Sequence, residues 1–188
     1  MKSVKSPATF LHMCEAPGNW IKCTKQYMTR FHPMIKYKWF ANSLNPFNAE
    51  IKETYGKVFQ DEFKYMVTYP DQWVFGADNT GDITQVANIK WYRDYIRQQW
   101  CDTSSGKLDL IVGDGGLGSG NDAIVLQRID LAQVIMVLSC SMPGGACVIK
   151  HFTPYMTNHP ETLKATGFFI SFLYLYYLVF DEVSLFKP

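Results

Sequence analysis

Long hydrophobic runs, paired cysteines and a marked excess of charge are all missing from this sequence. The one extended apolar stretch, Phe168 to Phe180, is about thirteen residues long and is broken by Ser171, Tyr174, Tyr176 and Tyr177, short of the roughly 20 that a spanning helix needs. It reads as a buried helix leading into a strand, with no membrane role. The opening residues, Met1-Lys2-Ser3-Val4-Lys5-Ser6-Pro7, lack the apolar core of a secretory signal. Cysteine is confined to Cys14, Cys23, Cys101, Cys140 and Cys147, an odd number with no Cys-x-x-Cys pair. That argues against a disulfide scaffold or structural zinc and for a reduced, intracellular setting. No internal repeat or low-complexity tract is present, which leaves out solenoids and disordered tails.

What remains is a chain of 188 residues, 47% hydrophobic and 15% aromatic, long enough for one sizeable core and best read as a single domain. Net charge is +1 but unevenly placed, +5 over residues 1–64 and −4 over the remainder. Lys22, Lys25, Arg30, Lys36 and Lys38 alternate with Tyr27, Phe31, Tyr37 and Trp39, a composition suited to a phosphate backbone with stackable bases. A solvated helix face would have the same charge pattern.

Strand-like and helix-like stretches alternate, the pattern of a parallel sheet with crossover helices. Strands are expected at about Thr9–Met13, Lys36–Asn42, Gln72–Gly76, Lys107–Val112, Ala146–Lys150 and Val179–Phe186. Helices are expected at about Gly18–Arg30, along Ile83, Val86, Ile89, Tyr92, Ile96 and Trp100, at about Asp122–Ser139, and within Pro160–Tyr177. The helix at 122–139 is apolar except at Gln127, Arg128, Asp130 and Gln133, so it is expected to be largely buried.

The first strand runs into Cys14-Glu15-Ala16-Pro17-Gly18-Asn19-Trp20 and then a helix. Such a turn presents unpaired backbone N–H groups at the positive end of a helix dipole, and Gly18 permits close approach of a ligand. Gly113-x-Gly115-x-x-Gly118 also follows a strand and precedes a helix, in formal agreement with a dinucleotide fingerprint. Asp114 would then set a carboxylate among groups meant for a pyrophosphate, and the next strand ends in Lys150 rather than an acid. A nicotinamide-dependent oxidoreductase is therefore the weaker reading. Open parallel sheets hold their ligands at the carboxyl ends of the strands. Asp114 and Lys150 stand at two such ends, and a carboxylate beside a lysine can orient or poise the amine to accept a proton from a hydroxyl. A plain ion pair is the alternative.

Leu11-His12-Met13-Cys14-Glu15-Ala16-Pro17-Gly18-Asn19-Trp20, Gly81-Asp82-Ile83-Thr84, Asp109-Leu110-Ile111-Val112-Gly113-Asp114-Gly115-Gly116 and Pro143-Gly144-Gly145-Ala146-Cys147-Val148-Ile149-Lys150-His151-Phe152 together resemble the FtsJ-like RNA ribose 2′-O-methyltransferases. The likeness is in order and spacing as well as wording, and is nearest to the cap-methylating branch, including versions carried by large DNA viruses. It implies an α/β, Rossmann-like fold, a mostly parallel sheet with helices on both faces, whose last strand lies beyond this sequence. It further implies S-adenosyl-L-methionine as cofactor, held by Glu15, Ala16, Pro17, Gly18, Asn19 and Trp20, with Asp82 at the adenine amino group, Ile83 against the ring and Asp114 nearby. Asp114 and Lys150 correspond to the second and third members of the family's Lys-Asp-Lys-Glu tetrad, with Lys150 as base for the ribose hydroxyl.

The implied substrate is RNA, most readily capped mRNA, in cytoplasm, nucleus or a virus-infected cell, with capping enzymes as partners. Departures from the family pattern are equally specific. His12 replaces an acid, and strand two ends without the family's acid for the cofactor ribose, leaving Asn42 or Ser43 as weaker hydrogen-bonding substitutes to bind the cofactor there. Lys2 and Lys5 are poor stand-ins for the first tetrad lysine, and the tetrad glutamate would follow Pro188. The sequence is thus expected to be an incomplete methyltransferase domain from a longer reading frame. The rival is a non-catalytic cofactor- or RNA-binding domain lacking a full tetrad.

Overall fold

A computed structural model of the chain describes residues 7–55, 63–99, 108–116, 123–151 and 161–186. Lys2, Lys5, Trp100, Cys101, Lys107, Gly118 and Phe152 lie outside these. Four strands, β1 (Ala8–Met13), β2 (Tyr37–Ala41), β3 (Leu108–Gly113) and β4 (Ser141–Ile149), form one sheet in the order β2-β1-β3-β4. All three pairings are parallel, as alternation of strands with crossover helices requires. The helices are α1 (Asn19–Phe31), α2 (Ala49–Tyr55), α3 (Tyr65–Thr68), α4 (Val86–Gln99), α5 (Ala123–Cys140) and α6 (Glu161–Val179).

β1, β2 and β3 are largely buried and β4 is a partly exposed edge, and alternate side chains serve two separate cores. Phe10, Trp39 and Ala41 pack with Ile21 and Met28 of α1 and Met66 of α3 on one face. Leu11, Met13, Phe40 and Ile111 pack with Tyr92 and Ile96 of α4, Val134 and Val137 of α5, and Phe172 and Tyr176 of α6 on the other. Each such fully buried side chain contributes roughly 1.5–3 kcal/mol. The expected helix-on-both-faces architecture is therefore present. Asp109 adds a side-chain rivet: its Oδ2 accepts both the backbone N–H and the hydroxyl of Thr9, each at 2.7 Å, fastening β3 to β1 at the edge away from the strand ends.

Two expected strands differ. Residues 72–76 form only a single parallel bridge, Trp73 to Ala41, with Val74 N–H donating to Ala41 O at 2.9 Å; a 3-10 turn over Pro70–Gln72 just before and Gly76 in the left-handed region just after leave no room for a longer ladder. The strand expected at 179–186 is absent: α6 continues to Val179 and residues 180–186 are irregular, the apolar run at 168–180 being taken up by the helix. The turn read at Pro143-Gly144-Gly145 is instead an irregularity inside β4, where the register with β3 shifts from Leu108↔Ser141 to Leu110↔Ala146. Among the described residues no helix is long and apolar enough to cross a membrane.

The loop between the Trp73 bridge and α4 is built on one buried side chain. Asn88, on α4 and fully buried, accepts the Ala77 N–H at 2.8 Å and donates to Asp78 Oδ1 and to the Asp82 carbonyl, both at 2.9 Å. Burial favours the neutral form of Asp78, but the hydroxyl and N–H of Thr80 and the Asn88 amide outweigh it and hold the carboxyl below its ordinary value. Replacing Asn88 by Ala strands several buried partners at once, so Asn88→Ala is expected to lower the unfolding free energy by about 2–4 kcal/mol in denaturant titration.

Candidate active site

The carboxyl ends of β1, β2 and β3 open onto a cleft lined by Cys14, Ser43, Leu44, Tyr55, Asp82, Ile83, Thr84, Gly116 and Ile129, among others, with about 540 Å³ of space counted out to its mouth. Each wall follows from local sequence.

The turn after β1 is held by Glu15. It is 1% exposed, its N–H donates to Asn42 O at 2.9 Å, and its carbonyl accepts the Gly18 N–H at 2.7 Å. Its carboxylate accepts the Ile21 N–H at 2.9 Å, which caps α1 in place of Gly18, a residue with no side chain to do so. The other carboxylate oxygen lies 3.5 Å from His12 Nδ1, with both groups buried. The acid lacking at His12 has thus a neighbour three residues on. The Ala16–Pro17 bond is cis. Gly18 has φ +115, and a Cβ there would stand 2.4 Å from the Tyr65 ring, so α3 lies directly against the turn. Lys25 secures that contact: its ammonium bonds the Tyr69 hydroxyl at 3.1 Å and faces the Tyr69 ring at 4.3 Å and the Tyr65 ring at 5.4 Å.

Of the residues expected at this turn, Ala16 is buried, Pro17 and Trp20 are partly buried and Asn19 is exposed. The Glu15 side chain is fully buried, one oxygen bonded to the α1 backbone and the other beside His12 without a hydrogen bond, so its place is beneath the turn rather than on its surface. Asn42 departs from its expected position. It is 1% exposed and its amide donates inward, to Gly81 O at 3.0 Å and to the Tyr92 hydroxyl, which in turn donates to Val74 O at 3.1 Å. The residue that reaches the cleft from this strand end is its neighbour Ser43. Gly81, with φ +75, lets the two loops touch, since a Cβ there would fall 1.7 Å from Ser43 O.

Asp82 and Ile83 both line the cleft. Asp82 Oδ1 accepts the N–H and hydroxyl of Thr84 at 2.8 and 2.7 Å, while Oδ2 has the Gln85 amide at 3.2 Å on the exposed side. One oxygen is thereby fixed and the other is left with acceptor capacity toward solvent. With apolar Leu44, Ile83, Val125 and Ile129 around it, the donor set fits a flat heteroaromatic ring carrying an amino group.

Asp114 and Lys150 directly follow β3 and β4. Asp114 N–H donates to Met13 O at 3.1 Å and Lys150 N–H to Gly113 O at 2.8 Å, so the sheet ladder itself delivers them side by side. Their side chains form an ion pair that is partly open to solvent. Cys14 lies within their field: burial first, then Asp114 and Asp82, push its thiol up to about 12, with Lys150 opposing. Among the described residues no group of three or more His, Cys, Asp or Glu could hold a metal ion.

The sequence matches the FtsJ-like methyltransferase family over residues 1–188. The chain belongs to that family. Similar proteins include an uncharacterized protein, L511, of Acanthamoeba polyphaga mimivirus, 31% identical across 100% of this chain and 21% of its own length. Others are cap-specific mRNA (nucleoside-2′-O-)-methyltransferase 2 of Drosophila melanogaster, 28% identical over 98% of the chain and 25% of its own length, and that of Mus musculus, 27% over 95% and 21%. The chain therefore spans a fifth to a quarter of the length of these relatives.

The lining residues Ser43, Leu44 and Tyr55 carry no motif of their own and were not expected as cleft residues apart from Ser43; their positions arise from where the β2 loop and α2 fold back. A thiol raised to about 12 is thiolate to only about one part in 10⁴ at pH 8. Iodoacetamide at pH 8 followed by peptide mass spectrometry is thus expected to label exposed Cys23 and spare Cys14.

Proposed function

We propose that this chain forms one S-adenosyl-L-methionine-dependent methyltransferase domain that methylates a ribose 2′-hydroxyl of RNA, with capped mRNA as substrate and Lys150 as the base. The observation that carries the reading is the Asp114–Lys150 pair at adjacent strand ends, within the electrostatic reach of the cleft thiol.

The cofactor, when bound, supplies an electrophilic methyl on a sulfonium, a leaving group that needs no further activation. The residues' share is binding, orientation and one proton. Asp82 would accept from the adenine amino group and Ile83 would pack on the ring. The turn at Ala16, Pro17, Gly18, Asn19 and Trp20 would take the methionine end through its backbone, with Glu15 fixing that turn from below. Lys150 would accept the proton of the 2′-hydroxyl as the oxygen attacks, and Asp114 would aim the amine. Only a lysine presented neutral at that moment can act so, and the partly open site allows its proton to leave to water. The names of the cap-specific relatives support capped mRNA over other RNA, and a capping enzyme as partner. Free thiols at Cys14, Cys23, Cys140 and Cys147 suit a reduced compartment such as cytoplasm or nucleus, a virus-infected cell included.

Lys150→Ala is expected to reduce methyl transfer to capped RNA at least a thousandfold while S-adenosylhomocysteine affinity, read by calorimetry, changes less than threefold. Undiminished turnover removes Lys150 as the base. Asp82→Ala is expected to weaken S-adenosylhomocysteine by roughly 1–3 kcal/mol through the lost buried hydrogen bond; an unchanged dissociation constant puts the adenine elsewhere. Saturable cofactor binding without transfer to any RNA by the wild type would favour the non-catalytic binding domain.

A further inference from the structure

Behind the ion pair lies a polar cluster that the proposed chemistry leaves unused. Asp130, 7% exposed, and Gln133, fully buried, sit one turn apart on α5, a helix otherwise packed with aliphatic side chains. Gln133 Oε1 accepts the N–H of Gly115 at 2.9 Å, the residue next to Asp114. Asp130 Oδ1 lies 3.1 Å from Nδ1 of His151, the residue next to Lys150. Gln133 Nε2 reaches Asp130 Oδ1 at 3.4 Å and links the two arms. On its far side the imidazole stands 3.4 Å from the Tyr176 hydroxyl, with its ring among Phe169, Phe172 and Tyr176 at 5.9–6.1 Å. Both strand ends that bear the ion pair therefore meet the same face of α5 one residue beyond the pair, one through a hydrogen bond to Gln133 and the other through a close polar contact with Asp130 that lacks hydrogen-bond geometry.

Such an arrangement is expensive in a core. Burying a carboxylate, an imidazole and an amide where aliphatic residues would pack is seldom stabilising overall, and removing one partner leaves the others unsatisfied. What it supplies is direction. The ladder fixes the backbone of Asp114 and Lys150 only up to the last strand hydrogen bond; beyond it, two loops leave the sheet, and an error of about 1 Å in a base can cost on the order of 10²-fold in rate.

We propose that Asp130, Gln133 and His151 are positioning residues that set the mutual placement of Asp114 and Lys150 from behind. The inference rests on the reading of Lys150 as base. None of the three touches the reacting atoms; they act through the two loops.

The test uses the full chain with capped RNA. His151→Phe keeps a ring among Phe169, Phe172 and Tyr176 and removes both ring nitrogens, the one facing Asp130 and the one facing the Tyr176 hydroxyl. It is expected to lower kcat at least tenfold, while KM for S-adenosyl-L-methionine and the dissociation constant of S-adenosylhomocysteine stay within twofold. Gln133→Leu is expected to behave alike. Asp130→Ala is expected to show the same drop, and Asp130→Asn, which keeps an oxygen beside Nδ1 and a polar partner for Gln133, to recover kcat to within threefold of the wild type. A wild-type kcat in folded His151→Phe overturns the proposal, and so does a fall of kcat in step with cofactor affinity and melting temperature, which is the signature of a purely structural role. A readout independent of turnover separates this inference from the reading it rests on: reductive methylation of Lys150 by formaldehyde and cyanoborohydride, followed by mass spectrometry. The rate at Lys150 is expected to rise at least threefold in His151→Phe over the wild type even if Lys150 proves not to be the base, and an unchanged rate overturns the clamp.

Discussion

Everything at the candidate site depends on the parallel alignment of β3 with β1 and β4. Register places Met13 opposite Gly113 and Gly113 opposite Ile149, and one further hydrogen bond from each strand's next residue delivers Asp114 and Lys150 to the same level. A slip of one residue would turn both side chains to the other face of the sheet. Burial of Leu11, Ile111 and Val112 on their respective faces makes such a slip costly, so the chemistry of the strand ends is enforced by apolar packing far from them.

Behind the walls of the cleft, buried polar side chains are put to structural use. Glu15 caps α1, Asn42 and Tyr92 join the β2 end to Gly81 and Val74, and Asn88 gathers the loop that carries Asp82. In each case a buried side chain satisfies backbone groups that an irregular loop would otherwise leave unpaired. The loops can then be short of regular structure without being poorly determined. The aromatic enclosure of Lys25 does the same for α3, a single turn that has little stability of its own and is held against Gly18 by rings and one ammonium group.

How much of this was legible in the sequence varies with the physics involved. β1, α1, β2, β3 and α5 are set by local period and by Pro or Gly at their ends, and they lie within a few residues of where the pattern puts them. The strand ends carrying Asp114 and Lys150 were legible for the same reason. Trp73 and the segment after Val179 were not, because whether a short aromatic or apolar run pairs along an edge depends on how the flanking turn or helix presents it, which is a tertiary fact. Asn42 illustrates a second limit. Its position at a strand end was correctly read, but the choice between facing a ligand and facing inward is made by Gly81 and Tyr92, 39 and 50 residues away. Asp130 and Gln133 did leave a trace: they were two of the four polar interruptions in a helix otherwise too apolar to be exposed, and a buried helix tolerates such residues only where they have partners.

The electrostatics of the cleft tie the parts together. Asp114 and Asp82 act on Cys14 in the same sense, each raising its thiol, and Lys150 alone opposes them. Burial is nevertheless the largest cause, and it disfavours charge at that point whatever its sign. Deprotonating Cys14 therefore meets desolvation as well as repulsion from two carboxylates, so the thiol that lies against the strand-end pair stays protonated and is kept from acting as a nucleophile at neutral pH.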